Sequence, residues 1–325
     1  MPQQLRLLFG VSGAIATVLD AASRYARSGH PLLILGQRGT GKTALARHIH
    51  ALSGRTGSFI RESAAAIPEH LEVAHLGGHA RGSFTGAHTD RMGLIEAAHR
   101  GTFFLDELGL ATARVQEILL QVLDGQVRRL GEVRDRQIDV RLIAATNVEL
   151  DDLIARGEFR RDLRERFGYL VIRMPPLAER RDEILRLADH FLRLEAEVHG
   201  LEEPPSLSDE VRSCLMAAPW SGNIRELEAV CRYALLHAGS EDQIEMADLP
   251  PEFLATIGAV LRRRHEGSLA ERARRALEET HGNKAAAARL IGISRRHMHR
   301  LLAASSMMIF CQMCDQSVFM SLLTP

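Results

Sequence analysis

A chain of 325 residues has room for one large domain and one or two small ones. Hydrophobic residues make up 46% and charged residues 25%, an ordinary balance for a globular protein with a sizeable core. The 41 basic and 41 acidic side chains cancel, which excludes a uniformly basic nucleic-acid coat and an acidic disordered chain but leaves room for a local basic patch. There is no apolar run of about 18 residues or more. The opening MPQQLRLLFG lacks a secretory apolar region with a small-residue cleavage site, so a cytoplasmic protein without membrane association is expected. Four cysteines give no disulfide framework, and Cys214 and Cys231 read as small core residues. Of the basic residues 39 are Arg, and the only lysines are Lys42 and Lys284. A lysine retained against such a bias calls for a chemical reason, since the two cations are not equivalent at a crowded site.

Residues 5–30 carry apolar side chains at helical spacing. The run PLLILG (31–36) reads as a buried parallel strand closed by glycine, and the TALARHIHALS that follows as a helix. GTFFLDE (101–107) and VRLIAATN (140–147) are two further buried strands, so the first half predicts an α/β domain with a parallel sheet. From residue 178 to about 249 the pattern is helical with no convincing strand, which suggests an all-α lid. The expected organisation is an α/β subdomain over 1–176, a helical lid over 177–250, a linker over 251–267 and a compact helical module over 268–303. The remainder, 304–325, holds no Arg or Lys but four of the ten Met and two of the four Cys. Such a tail fits a frameshift, a fusion or a partner-binding segment. Its Cys311-x-x-Cys314 lacks the second ligand pair that zinc usually takes.

Three motifs carry chemistry. Gly36-Gln-Arg-Gly39-Thr-Gly41-Lys42-Thr43 matches the phosphate-binding P-loop, between a strand and a helix as that motif requires. Its glycines let backbone N–H groups curl around phosphates, Lys42 supplies positive charge, and the Thr43 hydroxyl is a Mg²⁺ ligand at a helix N-terminus. Phe103-Phe104-Leu105-Asp106-Glu107 is an apolar strand ending in two carboxylates. Asp106 would hold Mg²⁺ through water, and Glu107 would polarise an attacking water. Ala144-Ala145-Thr146-Asn147 ends the third strand with a polar pair. Asn147 is then either a γ-phosphate sensor or a strand cap.

The order of these motifs, continued by Gly157-Glu-Phe-Arg160-Arg-Asp-Leu-Arg-Glu-Arg166, Pro175-Pro176-Leu177 and Trp220-Ser-Gly-Asn-Ile-Arg225, resembles the AAA+ domain of bacterial enhancer-binding proteins, which activate the sigma-54 form of RNA polymerase. The resemblance spans about residues 8–302. Its deciding element is Gly82-Ser83-Phe84-Thr85-Gly86-Ala87, similar to the loop that in this family contacts sigma-54. In bare chemical terms it is a glycine-bounded loop with one aromatic. The resemblance implies ATP and Mg²⁺ as ligands, and Arg160 and Arg166 as arginine fingers reaching a neighbour's γ-phosphate. Such fingers stabilise transition-state charge by roughly 10³–10⁵ in rate. They make the site a subunit interface, hence a homo-oligomer, hexameric in the family. Arg225 matches the lid's nucleotide-sensing arginine.

The module around Gly282-Asn-Lys284 to Arg300 resembles a Fis-type helix-turn-helix. A small-residue helix over Ala285–Ile291, a turn at Gly292 and an N-cap at Ser294 would lead into a recognition helix carrying Arg295, Arg296, His297, His299 and Arg300. Residues 262–302 hold eleven Arg or Lys against four Asp or Glu, so double-stranded DNA (in this family an upstream activating sequence), contacted also by Lys284, is an expected partner. The family's implied principal partner is the sigma-54 RNA polymerase holoenzyme. With no receiver domain expected ahead of the ATPase, a regulatory protein partner is implied by analogy.

Several positions depart from the family pattern. Ser83 replaces an Ala. His75-Leu76-Gly77-Gly78-His79 lacks a carboxylate and an aromatic near the loop base, and Ala178 lacks a basic side chain. Ser63 stands where the family's Asn holds the strand-end glutamate. A hydroxyl is shorter and cannot offer an amide's separate donor and acceptor, so weaker gating of Glu107 is expected. Two rivals follow: a DNA-binding regulator with a degenerate or poorly coupled ATPase, and a different AAA+ remodeller.

Overall fold

The computed structural model describes residues 13–239, 241–292, 294–295 and 298, with the backbone alone over 259–271. Two compact units divide at Leu249 and Pro250.

In the first unit the strands are β1 (Leu32–Leu35), β2 (Phe59–Ser63), β3 (Gly78–His79), β4 (Arg91–Met92), β5 (Thr102–Asp106), β6 (Gln126–Val127), β7 (Arg136–Gln137), β8 (Arg141–Thr146) and β9 (Val171–Arg173). Five of them form the parallel sheet β2-β5-β8-β1-β9. The helices beside it are α1 (Gly13–Ala26), α2 (Lys42–Leu52), α3 (Leu94–Ala97), α4 (Ala113–Leu123), α5 (Leu150–Ala155) and α6 (Arg161–Phe167).

Alternation along the strands divides the core. Leu33, Leu35, Phe103, Leu105, Leu142 and Ala144 face Val115, Leu119, Phe159 and Phe167. Leu32, Ile34, Phe104, Ile143 and Ala145 face Ile15, Val18, Leu45 and Ile49. Both faces are covered, which is why the central strands read as unbroken apolar runs. Each buried Leu, Ile or Phe contributes about 1.5–3 kcal/mol.

The three strands expected from sequence are β1, β5 and β8. The two edge strands lack that signature because only one flank of each is paired, and β2 is polar and partly exposed (FIRES). Arg141 starts β8 fully buried. Its Nη2 donates to the Tyr25 carbonyl (2.7 Å) and its Nη1 to that of Ala26, fastening the C-terminal end of α1 to the sheet. Burial pulls its pKa down to about 10.

The lid packs α7 (Arg181–Val198) against α8 (Asp209–Ala217) and α9 (Asn223–Ala238). Ser208 caps α8 by accepting the Val211 N–H (3.3 Å), and the buried Trp220 donates from Nε1 to the Leu215 carbonyl (3.0 Å). The lid also contains a parallel ladder, β10 (Ser206–Leu207) with β11 (Gln243–Ile244). Strands two residues long leave no periodic signal, hence the all-helical expectation.

In the second unit, residues 251–267, expected as a linker, are wound into one helix, α10 (Pro251–Glu279), with proline in its first turn, where its missing N–H costs nothing. Then comes α11 (Lys284–Leu290), one residue earlier than expected, capped by Asn283, whose Oδ1 accepts the N–H groups of Ala285 (3.2 Å) and Ala286 (3.1 Å). Ala273, Ala276, Ala287, Ala288 and Met298 form its core.

Candidate functional site

The C-terminal edge of the parallel sheet gathers most of the chemistry, as expected of an open α/β sheet. β1 runs into the 36–43 loop, where Gly39 (φ +77°) and Gly41 (φ +98°) are left-handed. At Gly39 a second constraint applies: a Cβ would lie 2.2 Å from the Gly222 carbonyl oxygen of the lid. Lys42 is 9% exposed, and its Nζ donates to the carbonyls of Gly36 (2.8 Å) and Gln37 (2.9 Å). Burial pushes its pKa down, while the Asp106 and Glu107 carboxylates pull it back up.

Register decides which groups face this loop. Ser63 of β2 lies opposite Asp106 of β5, and Leu35 of β1 opposite Thr146 of β8. Asp106 accepts the Thr43 hydroxyl at Oδ2 (3.3 Å) and the Glu107 backbone N–H at Oδ1 (3.0 Å). Glu107 has left-handed backbone (φ +54°, ψ 40°), a sparsely occupied conformation for a residue with a side chain. Its carboxylate accepts the Ser63 hydroxyl (2.8 Å) and lies 3.5 Å from Arg38 Nη2. A cavity of about 360 Å³ opens between these groups and the lid, lined also by Arg61, Asn147, Ile224 and Arg225. The structure thus brings together Gly39, Gly41, Lys42, Thr43, Asp106, Glu107, Asn147 and Arg225 around one cleft, beside Gly36. Two hard oxygen ligands, Thr43 Oγ1 and Asp106 Oδ2, converge next to the phosphate-binding loop, a donor set that suits Mg²⁺.

Arg160 and Arg166 do not line that cleft. They stand at either end of α6, half-exposed, paired with Asp162 (2.7 Å) and Asp124 (2.7 Å) of the same chain.

The 82–87 loop rises from the β3–β4 ribbon. Gly82 (φ +78°) and Gly86 (φ +101°) have open space where a Cβ would stand, so backbone conformation alone selects glycine there. The loop is closed by Gly82 N–H to Ala87 O (2.8 Å) and Ala87 N–H to Phe84 O (3.0 Å). Phe84 is 42% exposed and meets the His79 ring edge-on, centroids 5.0 Å apart. Thr85 is exposed, Ser83 is half-buried, and Ala87 is buried.

In the helical module Lys284, Ser294 and Arg295 are exposed. Gly292 has φ +72°, and the Ser294 carbonyl accepts the Met298 N–H (3.0 Å). Arg296, His297, His299 and Arg300, like Cys311 and Cys314, lie outside the described residues.

Residues 8–173 match the sigma-54 interaction domain, 178–260 the AAA+ ATPase lid domain, and 270–303 the bacterial regulatory protein, Fis family. The chain belongs to the sigma-54 activator family. It is 38% identical to the DNA-binding transcriptional regulator NtrC of Salmonella typhimurium, across 91% of this chain and 69% of that one. The Psp operon transcriptional activator of Escherichia coli is 39% identical, over 72% of this chain and 73% of its own. Among solved structures, NtrX from Brucella abortus in complex with ADP superposes with a TM-score of 0.70 at 29% identity, covering 91% of this chain and 69% of that one. The same protein has been solved in complex with ATP. The AAA+ fold, the lid and the DNA-binding helical module of a transcription activator are therefore established for this chain. Among its described residues no helix is long and apolar enough to cross a membrane.

Sequence reasoning missed several residues that shape this activator's site. Asn223, fully buried with φ +56°, spans loop and lid: its Nδ2 donates to the Arg38 carbonyl (2.9 Å) and Gln37 Oε1 (3.2 Å), and its Oδ1 accepts the Leu177 N–H (2.7 Å). Arg180, also fully buried, donates to the Thr40 carbonyl (3.1 Å). Gln116 accepts the Arg160 N–H (2.8 Å), fixing the start of α6. In sequence His75 reads only as a loss. In the structure its Nε2 lies 2.8 Å from Glu62 Oε2, which ties the base of the loop segment to the carboxylate on β2. None of these follows a spacing rule; only an Asn beside glycine in the lid motif hints at a left-handed backbone.

Proposed function

We propose that the chain hydrolyses ATP at this cleft and uses the energy to remodel sigma-54 RNA polymerase holoenzyme from a site on upstream double-stranded DNA. The observation that carries the reading is the meeting of the P-loop with two differently held carboxylates, Asp106 on Thr43 and Glu107 on Ser63, in a domain that also projects the 82–87 loop. The ATP- and ADP-bound relative supports a nucleotide in the cleft.

In this reading Lys42 and the loop N–H groups bind the β- and γ-phosphates. Thr43 and Asp106 hold Mg²⁺, which neutralises phosphate charge. Glu107 orients the attacking water and takes up its proton. Asn147 senses the γ-phosphate, and Arg225 reports the nucleotide to the lid. Arg160 and Arg166 act on a neighbour's nucleotide in a hexameric ring, exchanging Asp162 and Asp124 for phosphate oxygens. Gly82, Ser83, Phe84, Thr85, Gly86 and Ala87 form the sigma-54 contact. Lys284, Ser294, Arg295, Arg296, His297, His299 and Arg300 form the DNA contact. The protein works in the cytoplasm, and a regulatory protein partner controls it.

ATP-dependent melting of a sigma-54 promoter by the full chain with purified holoenzyme tests the reading. Open complexes that form with ATP, and not with a non-hydrolysable analogue, are the expected result. Phosphate release without opening would instead favour the poorly coupled ATPase, and no release at all would defeat the enzymatic reading.

A further inference from the structure

β2 ends with a polar run whose members alternate sides of the sheet edge. Ser63 and Arg61 share one side, two residues apart, and each reaches one of the paired carboxylates at the end of β5: Ser63 contacts Glu107 and Arg61 contacts Asp106. Arg61 Nη2 lies 3.4 Å from Asp106 Oδ2, the same oxygen that the Thr43 hydroxyl addresses at 3.3 Å. The other oxygen, Oδ1, is occupied by the Glu107 N–H (3.0 Å). A guanidinium therefore shares the one Asp106 oxygen turned toward the Mg²⁺ ligand Thr43, and it does so from within the cleft lining.

We propose that Arg61 is a positioning residue that stands in for the metal: it neutralises Asp106 when Mg²⁺ is absent and gives up its contact with Oδ2 in competition with the ion. The inference rests on the nucleotide reading above. Its physical basis is direct. A guanidinium and a divalent cation drawn to one carboxylate oxygen, whether the ion is held directly or through water, repel each other and compete for its charge, so each weakens the other's hold on Oδ2. Without metal, Arg61 offsets the charge that Asp106 would otherwise set against the phosphates of an incoming nucleotide. With metal, the displaced cation is an energetic cost that the ion must overcome. Both effects flatten the metal dependence of nucleotide binding. Arg61 is 44% exposed at its side chain, so it can swing aside without unpacking the core, and solvent screening keeps the competition modest.

The test measures binding and not turnover. A methylanthraniloyl-labelled ADP is titrated onto the full chain in EDTA and again in saturating Mg²⁺, and the ratio of the two affinities is the readout. In Arg61→Ser that ratio should rise about threefold to tenfold, because metal-free affinity falls while metal-bound affinity holds or improves. Arg61→Lys, which keeps the charge, should restore a ratio near that of the unaltered chain. A ratio unchanged in Arg61→Ser, or changed equally by both substitutions, would overturn the proposal. Should the serine variant fail to fold, Arg61→Gln gives the same comparison with the side-chain length kept. The nucleotide reading fails separately, and visibly, if the unaltered chain binds no labelled ADP even in Mg²⁺.

Discussion

The cleft at the end of the sheet and the loop at residues 82–87 are built on opposite plans. In the cleft, Lys42, Thr43, Asp106, Glu107 and Ser63 are each tied by a side-chain hydrogen bond, and the backbones that carry them belong to a buried sheet or its first flanking turn. In the loop, only short-range backbone hydrogen bonds and a ring contact between Phe84 and His79 hold the tip, and Thr85 stands exposed to solvent. Pre-organised dipoles and charges are what hydrolysis needs, since they cost nothing to rearrange at the moment of reaction. A lightly held tip is what a moving contact needs, since local opening there disturbs little of the core. Damage to the cleft should therefore abolish binding or turnover, whereas damage to the loop should spare both.

The largest expected effect is at Lys42. Lys42→Ala removes a nearly buried cation facing the phosphates and should weaken nucleotide binding by about 2–5 kcal/mol, read by fluorescence titration, with promoter opening lost in consequence. Retained binding would break the comparison at its rigid end. Next comes Thr85→Ala, which should leave steady-state phosphate release within about twofold while open-complex formation drops by roughly tenfold or more; a parallel fall in both would mean the loop is not independent of the cleft. Smaller still is the joint between the two regions. Ser63→Ala removes a charge-assisted hydrogen bond and should lower promoter opening per ATP hydrolysed by roughly threefold to tenfold. Ser63→Asn should raise that yield above the unaltered chain's, and an unchanged yield would show that the hydroxyl already couples fully.

The smallest effect is in the pH profile. Because burial lowers the Lys42 pKa from 10.5, the side chain loses its proton at lower pH than a free lysine does. Nucleotide affinity should stay flat through neutrality and begin to fall on the alkaline side before pH 10.5, and Lys42→Ala should erase that limb.

The central sheet was legible because its strands are buried on both faces, and an unbroken apolar run such as LLIL, too short for a helix and closed by glycine, fits a doubly covered strand. The P-loop and the Asp106–Glu107 pair were legible because their chemistry fixes residue type and spacing together. What escaped detection lies at the edges. FIRES of β2 has no apolar run because one flank is open, yet Arg61, Glu62 and Ser63 from that strand touch Asp106, His75 and Glu107. Such contacts depend on register between distant segments, which no local pattern encodes. The stretch 251–267 misleads for a different reason: the Pro250-Pro251 pair at its start and the charge cluster at its end resemble a linker, but a proline in the first turn starts a helix as readily as it breaks one.

The close approach at Gly39 links two parts that are easily treated as separate. With a lid carbonyl sitting where any side chain would begin, the phosphate loop and the lid touch backbone to backbone, with Asn223 stitched across the seam. An alanine at 39 would thus act as a wedge, tilting the lid as well as blunting the loop. A turnover defect there could not be assigned to either part until the lid's orientation had been measured independently.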